Sequence, residues 1–180
     1  MSTRSVGTNT ALLVVDVQVA VVARAHRRDE TVGVIADLVE RAREARVPVL
    51  WIQHHDADLP MGVDDWQIVS ELSPNDDEVV VHKSYNDAFE ETDLENHLDR
   101  LGVGSLVVTG AQTEWCIRST LHGAIARGYD ALLVADGHTT NDLSAAIPAT
   151  SIIELTNTYW LWHAVPARSA GVAMGQDVTF

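Results

Sequence analysis

A chain of 180 residues has room for one compact domain with a real core and is too short for two ordinary ones. Apolar residues make up 46% and charged residues 21%, and no apolar run nears the roughly 20 residues of a membrane span, so the composition is that of a globular domain. The balance of 12 basic against 26 acidic side chains leaves a formal charge of −14, which argues against nucleic acid or an anionic membrane surface as a partner.

The opening MSTRSVGTNT has a basic residue but leads into no apolar segment closing on a small-residue cleavage site, because ALLVVDV (11–17) is interrupted by Asp16. A cytoplasmic protein is expected. That same run is the first strand candidate. In TVGVIADLVERAREARV, which follows, Ile35, Leu38, Val39 and Ala42 recur at helical spacing, while Glu40, Arg41, Arg43 and Glu44 take the other side. VPVLWIQH (47–54) reads as the second strand, runs into the polar stretch HHDAD (54–58), and is followed by a loop, GVDDWQIVSEL, that carries Trp66. EVVVHK (78–83) is the third strand. TDLENHLDRLGV (92–103) sets Leu94, Leu98 and Leu101 on one stripe between a Thr cap and a Gly102 stop. SLVVTG (105–110) is the fourth strand, and the helical stretch from Glu114 to Arg127 ends at Gly128. DALLVADG (130–137) is the fifth; Pro148 opens a last helix towards Trp162, and HAVPAR (163–168) is a fainter sixth strand.

Nearly continuous Val, Leu and Ile in the first five strands, with helical spacing between them, predicts parallel strands covered on both faces. The expected fold is a three-layer α/β/α domain with a mostly parallel, Rossmann-like sheet of about six strands and right-handed crossovers. It is expected to occupy residues 1–180 as a single domain with its core at about 10–168. No internal repeat, linker or low-complexity segment interrupts it. Ligands in such sheets bind beyond the carboxyl ends of the strands. Asp16 closes the first strand, Lys83 the third, and Cys116 lies just after the fourth, so all three are expected at one rim.

Cys116 is the single cysteine, which excludes an internal disulfide and suits a reducing cytoplasm. A nucleophilic thiol needs a cation or helix N-terminus to favour its thiolate and a base to take its proton. Lys83 could supply the cation and Asp16 the base. On that basis Cys116 is expected to alkylate faster at pH 7 than a free thiol of pKa about 8.5. Taken singly, each residue has a plainer reading: a buried small hydrophobe, a turn former and a solvated lysine.

The stretches LLVVDVQ, HKSYNDAF and VVTGAQTEWCIRSTLHGAIARGYDALLVADGHTT, in that order and spacing, resemble the signature blocks of the isochorismatase-like cysteine hydrolases. That family includes nicotinamidases, N-carbamoylsarcosine amidases and ureidoacrylate hydrolases. The resemblance spans about residues 10–165 and implies the isochorismatase-like hydrolase fold. It assigns Asp16, Lys83 and Cys116 as a catalytic triad, with the backbone N–H groups of Gln112 and Cys116 as an oxyanion hole. It also implies a cis peptide between Ala111 and Gln112. The implied reaction cleaves a C–N bond of a small amide, carbamoyl or ureido compound through a thioester; the cysteine speaks against the vinyl-ether cleavage of true isochorismatases. A non-catalytic member that binds a metabolite or protein at the same rim is the other alternative. Nucleotide binding finds no support, since neither GxGxxG nor GxxxxGK[ST] follows any predicted strand.

Gln18, Tyr85, Asn86 and Trp66 are the candidates for substrate contact. The aromatic that often walls the pocket just after the first block is absent, with Val21 and Val22 in its place. The nicotinamidase branch holds a metal after its second strand through an Asp, a His two positions on and further His residues. Here the order is His54, His55, Asp56, Asp58, with no later His until His82. No metal and no other cofactor are therefore expected, and the stretch reads as a loop at the pocket mouth. His122 reads as a helix-face residue, and the TYWLWH end of the last helix as core and as contact in a homo-oligomer, a dimer or tetramer.

Overall fold

The computed structural model describes residues 7–180; residues 1–6, part of the opening segment weighed above for a secretory leader, lie outside the described residues. Strand β1 (Asn9–Val15) is followed by a short helix α1 (Val19–Val22), the long α2 (Arg28–Glu44), β2 (Val49–His54), β3 (Val79–Lys83), α3 (Leu94–Arg100) and β4 (Val103–Ala111). Then come a π-helical turn (Thr113–Ile117), α4 (Arg118–Ala126), β5 (Asp130–Thr139), α5 (Ala149–Leu161) and β6 (Ala170–Ala173). The strands form one sheet in the order β3-β2-β1-β4-β5-β6, and every pair in it is parallel. No described helix is long and apolar enough to cross a membrane.

Two apolar layers follow from the period-two alternation of strand side chains. Ala11, Leu13 and Val15 of β1 point into a cluster with Leu94 and Leu98 of α3, Leu121 and Ala124 of α4 and Trp160 of α5. Leu12 and Val14 point the other way, against Val32, Ile35, Leu38, Val39 and Ala42 of α2. The stripe read from the sequence is thus the face α2 buries. The TYWLWH end divides: Trp160 is fully buried and donates its Nε1–H to Ala131 O at 3.2 Å, whereas Trp162 is 79% exposed.

One element is placed differently from the sequence reading. HAVPAR contains no strand; Val165 and Arg168 form an isolated antiparallel bridge around a turn in which Ala167 has φ 60°. Pro166 carries no N–H for a ladder bond, which disfavours a strand through it. The sixth strand is AGVA, with Ala170 opposite Ala131 on β5. It is short, half-buried and at the sheet edge, so its pattern is faint.

The chain order places the site. It winds outward from β1 to β2 and β3 on one side, then returns to β4, β5 and β6 on the other, which leaves a switch point between β1 and β4. The two strands close tightly there: a Cβ on Gly110, which has φ 119°, would lie 1.9 Å from Val15 O, so only glycine fits. β1 ends as Asp16 turns into the left-handed region at φ 50°, which a short polar side chain tolerates. The Ala111–Gln112 peptide is cis, as the resemblance implies.

Candidate active site

Asp16, Lys83 and Cys116 come together at the carboxyl rim. Lys83 Nζ lies 2.7 Å from Asp16 Oδ2 and 3.3 Å from Cys116 Sγ, and it also donates to Tyr85 O at 3.0 Å. Both charged side chains are essentially sealed from solvent. Asp16 Oδ1 has no hydrogen-bond partner, so the carboxylate keeps lone pairs free for a proton. Cys116 sits in the π-helical turn, whose start is held by a 2.9 Å contact between Thr113 Oγ1 and His138 Nδ1. Such turns are frequent at functional sites.

The electrostatics reverse one expectation. Burial first, then the charge of Asp16, push the Cys116 thiol up to about 12, against the opposing pull of Lys83. Burial pulls the Lys83 ammonium down, but Asp16 and the sulfur outweigh it, and the net direction is upward. The lysine's charge is already matched by Asp16 at 2.7 Å, so little is left to stabilise a thiolate. The resting site therefore holds a thiol, a carboxylate and an ammonium, and the fast alkylation expected from the sequence does not follow.

A cavity of about 170 Å³ opens over the sulfur, lined by Asp16, Val21, His54, Asn86, Gln112, Trp115 and Cys116. A larger hollow of about 430 Å³ between α2, β5 and α5 holds neither the thiol nor the ion pair. Asn86 reaches the site, its Oδ1 3.9 Å from Sγ. The other expected contacts do not. Gln18 is fully buried and uses its amide as a brace: Nε2 donates to His54 O at 2.9 Å and Trp66 O at 2.8 Å, and Oε1 accepts from His54 N at 2.8 Å. Trp66 lies outside the cavity, its ring edge-on to His82 at 5.3 Å. Tyr85 gives the site only its carbonyl, and its side chain is about half exposed. His122 stacks on Tyr159 and sits edge-on to Trp160, away from the sulfur.

Two lining residues, Trp115 and His54, were not among the contacts expected from the sequence. Trp115, half-exposed beside Cys116, supplies the aromatic wall that Val21 does not. It lay within the TEWC motif, one position from the sulfur. His54 was legible only as part of a metal-like cluster. Among the described residues no group of three or more His, Cys, Asp or Glu gathers as a metal site.

An isochorismatase-domain family model matches residues 10–157. The chain belongs to the isochorismatase family. Two streptothricin hydrolases of Streptomyces noursei are 34% and 33% identical to it over 93% of this chain, which spans 60% and 66% of their lengths. An N-carbamoylsarcosine amidase from an Arthrobacter species is 31% identical over 52% of this chain and 34% of its own. The crystal structure of a putative isochorismatase from Burkholderia xenovorans LB400 superposes with a TM-score of 0.84 at 25% identity, over 95% of this chain and 86% of that one. The six-stranded parallel sheet is thus the isochorismatase-like hydrolase fold, and the family's named relatives here are hydrolases and amidases.

Proposed function

We propose that this isochorismatase-family member is a cysteine-dependent hydrolase that cleaves a C–N bond of a small amide, carbamoyl or ureido compound through a thioester. The observation that carries the reading is the mutual contact of thiol, ammonium and carboxylate beneath a narrow cavity. The amidase and hydrolase activities named for its relatives support the bond type. A cavity of about 170 Å³ is well below the roughly 300–1,000 Å³ of pockets for drug-sized ligands, which favours a small reacting group.

The chemistry follows from the resting charges. As Sγ bonds to the substrate carbonyl carbon, Asp16 takes the thiol proton and the carbonyl electrons move onto oxygen. The backbone N–H groups of Gln112 and Cys116 are the donors proposed to receive that oxyanion. When the C–N bond breaks, the nitrogen takes the proton from Asp16 and leaves as ammonia or an amine. Water then attacks the thioester while Asp16 accepts its proton; the C–S bond breaks and the sulfur takes that proton back. Lys83 remains an ammonium throughout, offsetting charge on Asp16 and on the sulfur in turn.

The test is an ammonia-release screen over amides, ureides and carbamoyl amino acids, comparing wild type with Cys116→Ala. One class should turn over, with a loss of more than about a thousandfold in the variant. Turnover unaffected by the substitution, or no turnover together with an unreactive thiol, would discard the reading.

A further inference from the structure

The ion pair of the proposed mechanism has a neighbour that the triad leaves unused. Because β2 lies between β1 and β3, the residue at its carboxyl end must sit between Asp16 and Lys83, and that residue is His54, in register with Lys83. Its backbone is clamped by Gln18 on both its N–H and its carbonyl. Its ring lines the cavity.

The ring's tautomer is fixed from outside. His54 Nε2 lies 3.1 Å from Asp56 Oδ2, while Asp56 Oδ1 accepts the N–H groups of Asp58 and Leu59, each at 2.8 Å. The hydrogen bond from His54, then that from the Leu59 N–H, hold the Asp56 carboxyl below its ordinary range, so it is an anion that only accepts. Nε2 must carry the proton. Nδ1 faces the Lys83 ammonium at 3.5 Å, where it can only accept.

An ammonium has three protons. Around Lys83 Nζ stand four acceptors: Asp16 Oδ2 at 2.7 Å, Tyr85 O at 3.0 Å, Cys116 Sγ at 3.3 Å and His54 Nδ1 at 3.5 Å. In the resting site His54 is the most distant of them. The thiol sulfur is already a weak acceptor; once acylated it is weaker still, and the proton that faced it needs another partner.

We infer that His54 is a positioning residue that takes over this hydrogen bond and holds the Lys83 ammonium in place while the thioester is hydrolysed. The inference rests on the cysteine-hydrolase reading above. It makes His54 matter little for acylation and more for deacylation, since its long contact with Lys83 at 3.5 Å shortens into a full hydrogen bond only after the sulfur is occupied.

The test uses p-nitrophenyl acetate as acyl donor, following nitrophenolate release by stopped flow in wild type, His54→Leu, His54→Asn and His54→Gln. Asn can present an oxygen near the Nδ1 position, whereas Gln reaches towards Nε2 and Leu presents no acceptor. Expected are a burst rate within about twofold of wild type in all three and a steady-state rate about tenfold lower in His54→Leu, the equivalent of one charge-assisted hydrogen bond. His54→Asn should recover most of that loss, and His54→Gln little of it. Equal slowing of burst and steady state in His54→Leu, no slowing at all, or no rescue by Asn would overturn the role. The Asn variant keeps the test decisive if Leu fails to fold. Absence of a burst in wild type, or its survival in Cys116→Ala, would instead overturn the cysteine reading on which the role depends.

Discussion

Replacing Asp16 by Asn should leave a protein that no longer turns over substrate but has a more reactive thiol. With the Cys116 thiol pushed up to about 12, about one site in 100,000 holds a thiolate at pH 7. A free thiol of pKa about 8.5 is about 3% ionised, so wild type should alkylate with iodoacetamide on the order of a thousandfold more slowly. Asp16→Asn removes the carboxylate beside the sulfur, and a neighbouring like charge alters ionisation by about 10- to 1,000-fold. The Lys83 ammonium, 3.3 Å from Sγ, then has the sulfur as its remaining anion and favours the thiolate. Alkylation at pH 7 should rise by that factor while ammonia release disappears with the base. The assay is pseudo-first-order labelling of the single cysteine, read by mass, between pH 6 and 10. Labelling of wild type as fast as a free thiol, or no acceleration in the variant, would refute the assignment of a protonated resting nucleophile.

Gln18→Ala separates a brace from a substrate contact. It removes three hydrogen bonds that tie His54 and Trp66 to the first strand's end and should cost about 2–4 kcal/mol in urea unfolding without changing KM; a raised KM at unchanged stability would restore it to the substrate. His138 gives a pH dependence. Burial holds it down to about 4 from 6.5, so below pH 6.5 the unfolded chain binds the proton that the folded one refuses, and stability falls with pH until about 4. The loss should reach about 3 kcal/mol by pH 4 in urea titrations. A His138→Asn variant should show a flatter profile, and an unchanged wild-type stability between pH 7 and pH 4 would mean that the imidazole is not held neutral.

The sheet and the rim were legible in the sequence because buried parallel strands write themselves as continuous apolar runs, and because Asp16 and Lys83 close two of them while Cys116 follows a third. What the sequence hid depends on strand order. Nothing in VLWIQH says that its last residue lies between Asp16 and Lys83; that needs β2 to be placed beside both β1 and β3. Gln18 and Trp66 were misread for a related reason. Nearness to a motif along the chain says little about which way a side chain points, and the Gln18 amide turns to backbone groups that only the folded loop supplies. The thiol's ionisation was misread because charge balance was counted without burial, which is here the larger influence.

Lys83 is the last residue of an edge strand. β3 pairs with β2 alone and exposes Val80 and His82 on its outer face, whereas Asp16 and Cys116 hang from the two central strands. Edge elements with exposed faces open locally at a lower free-energy cost than the core around them. If β3 peels away, the ammonium leaves with it, and Asp16 and the sulfur both lose the cation that contacts them. The charge that the proposed reaction develops on sulfur then loses its counterion. The proposed catalytic centre is thus wired to an edge of the sheet, and it loses its cation while β1, β4, α2 and most of both apolar layers are still in place.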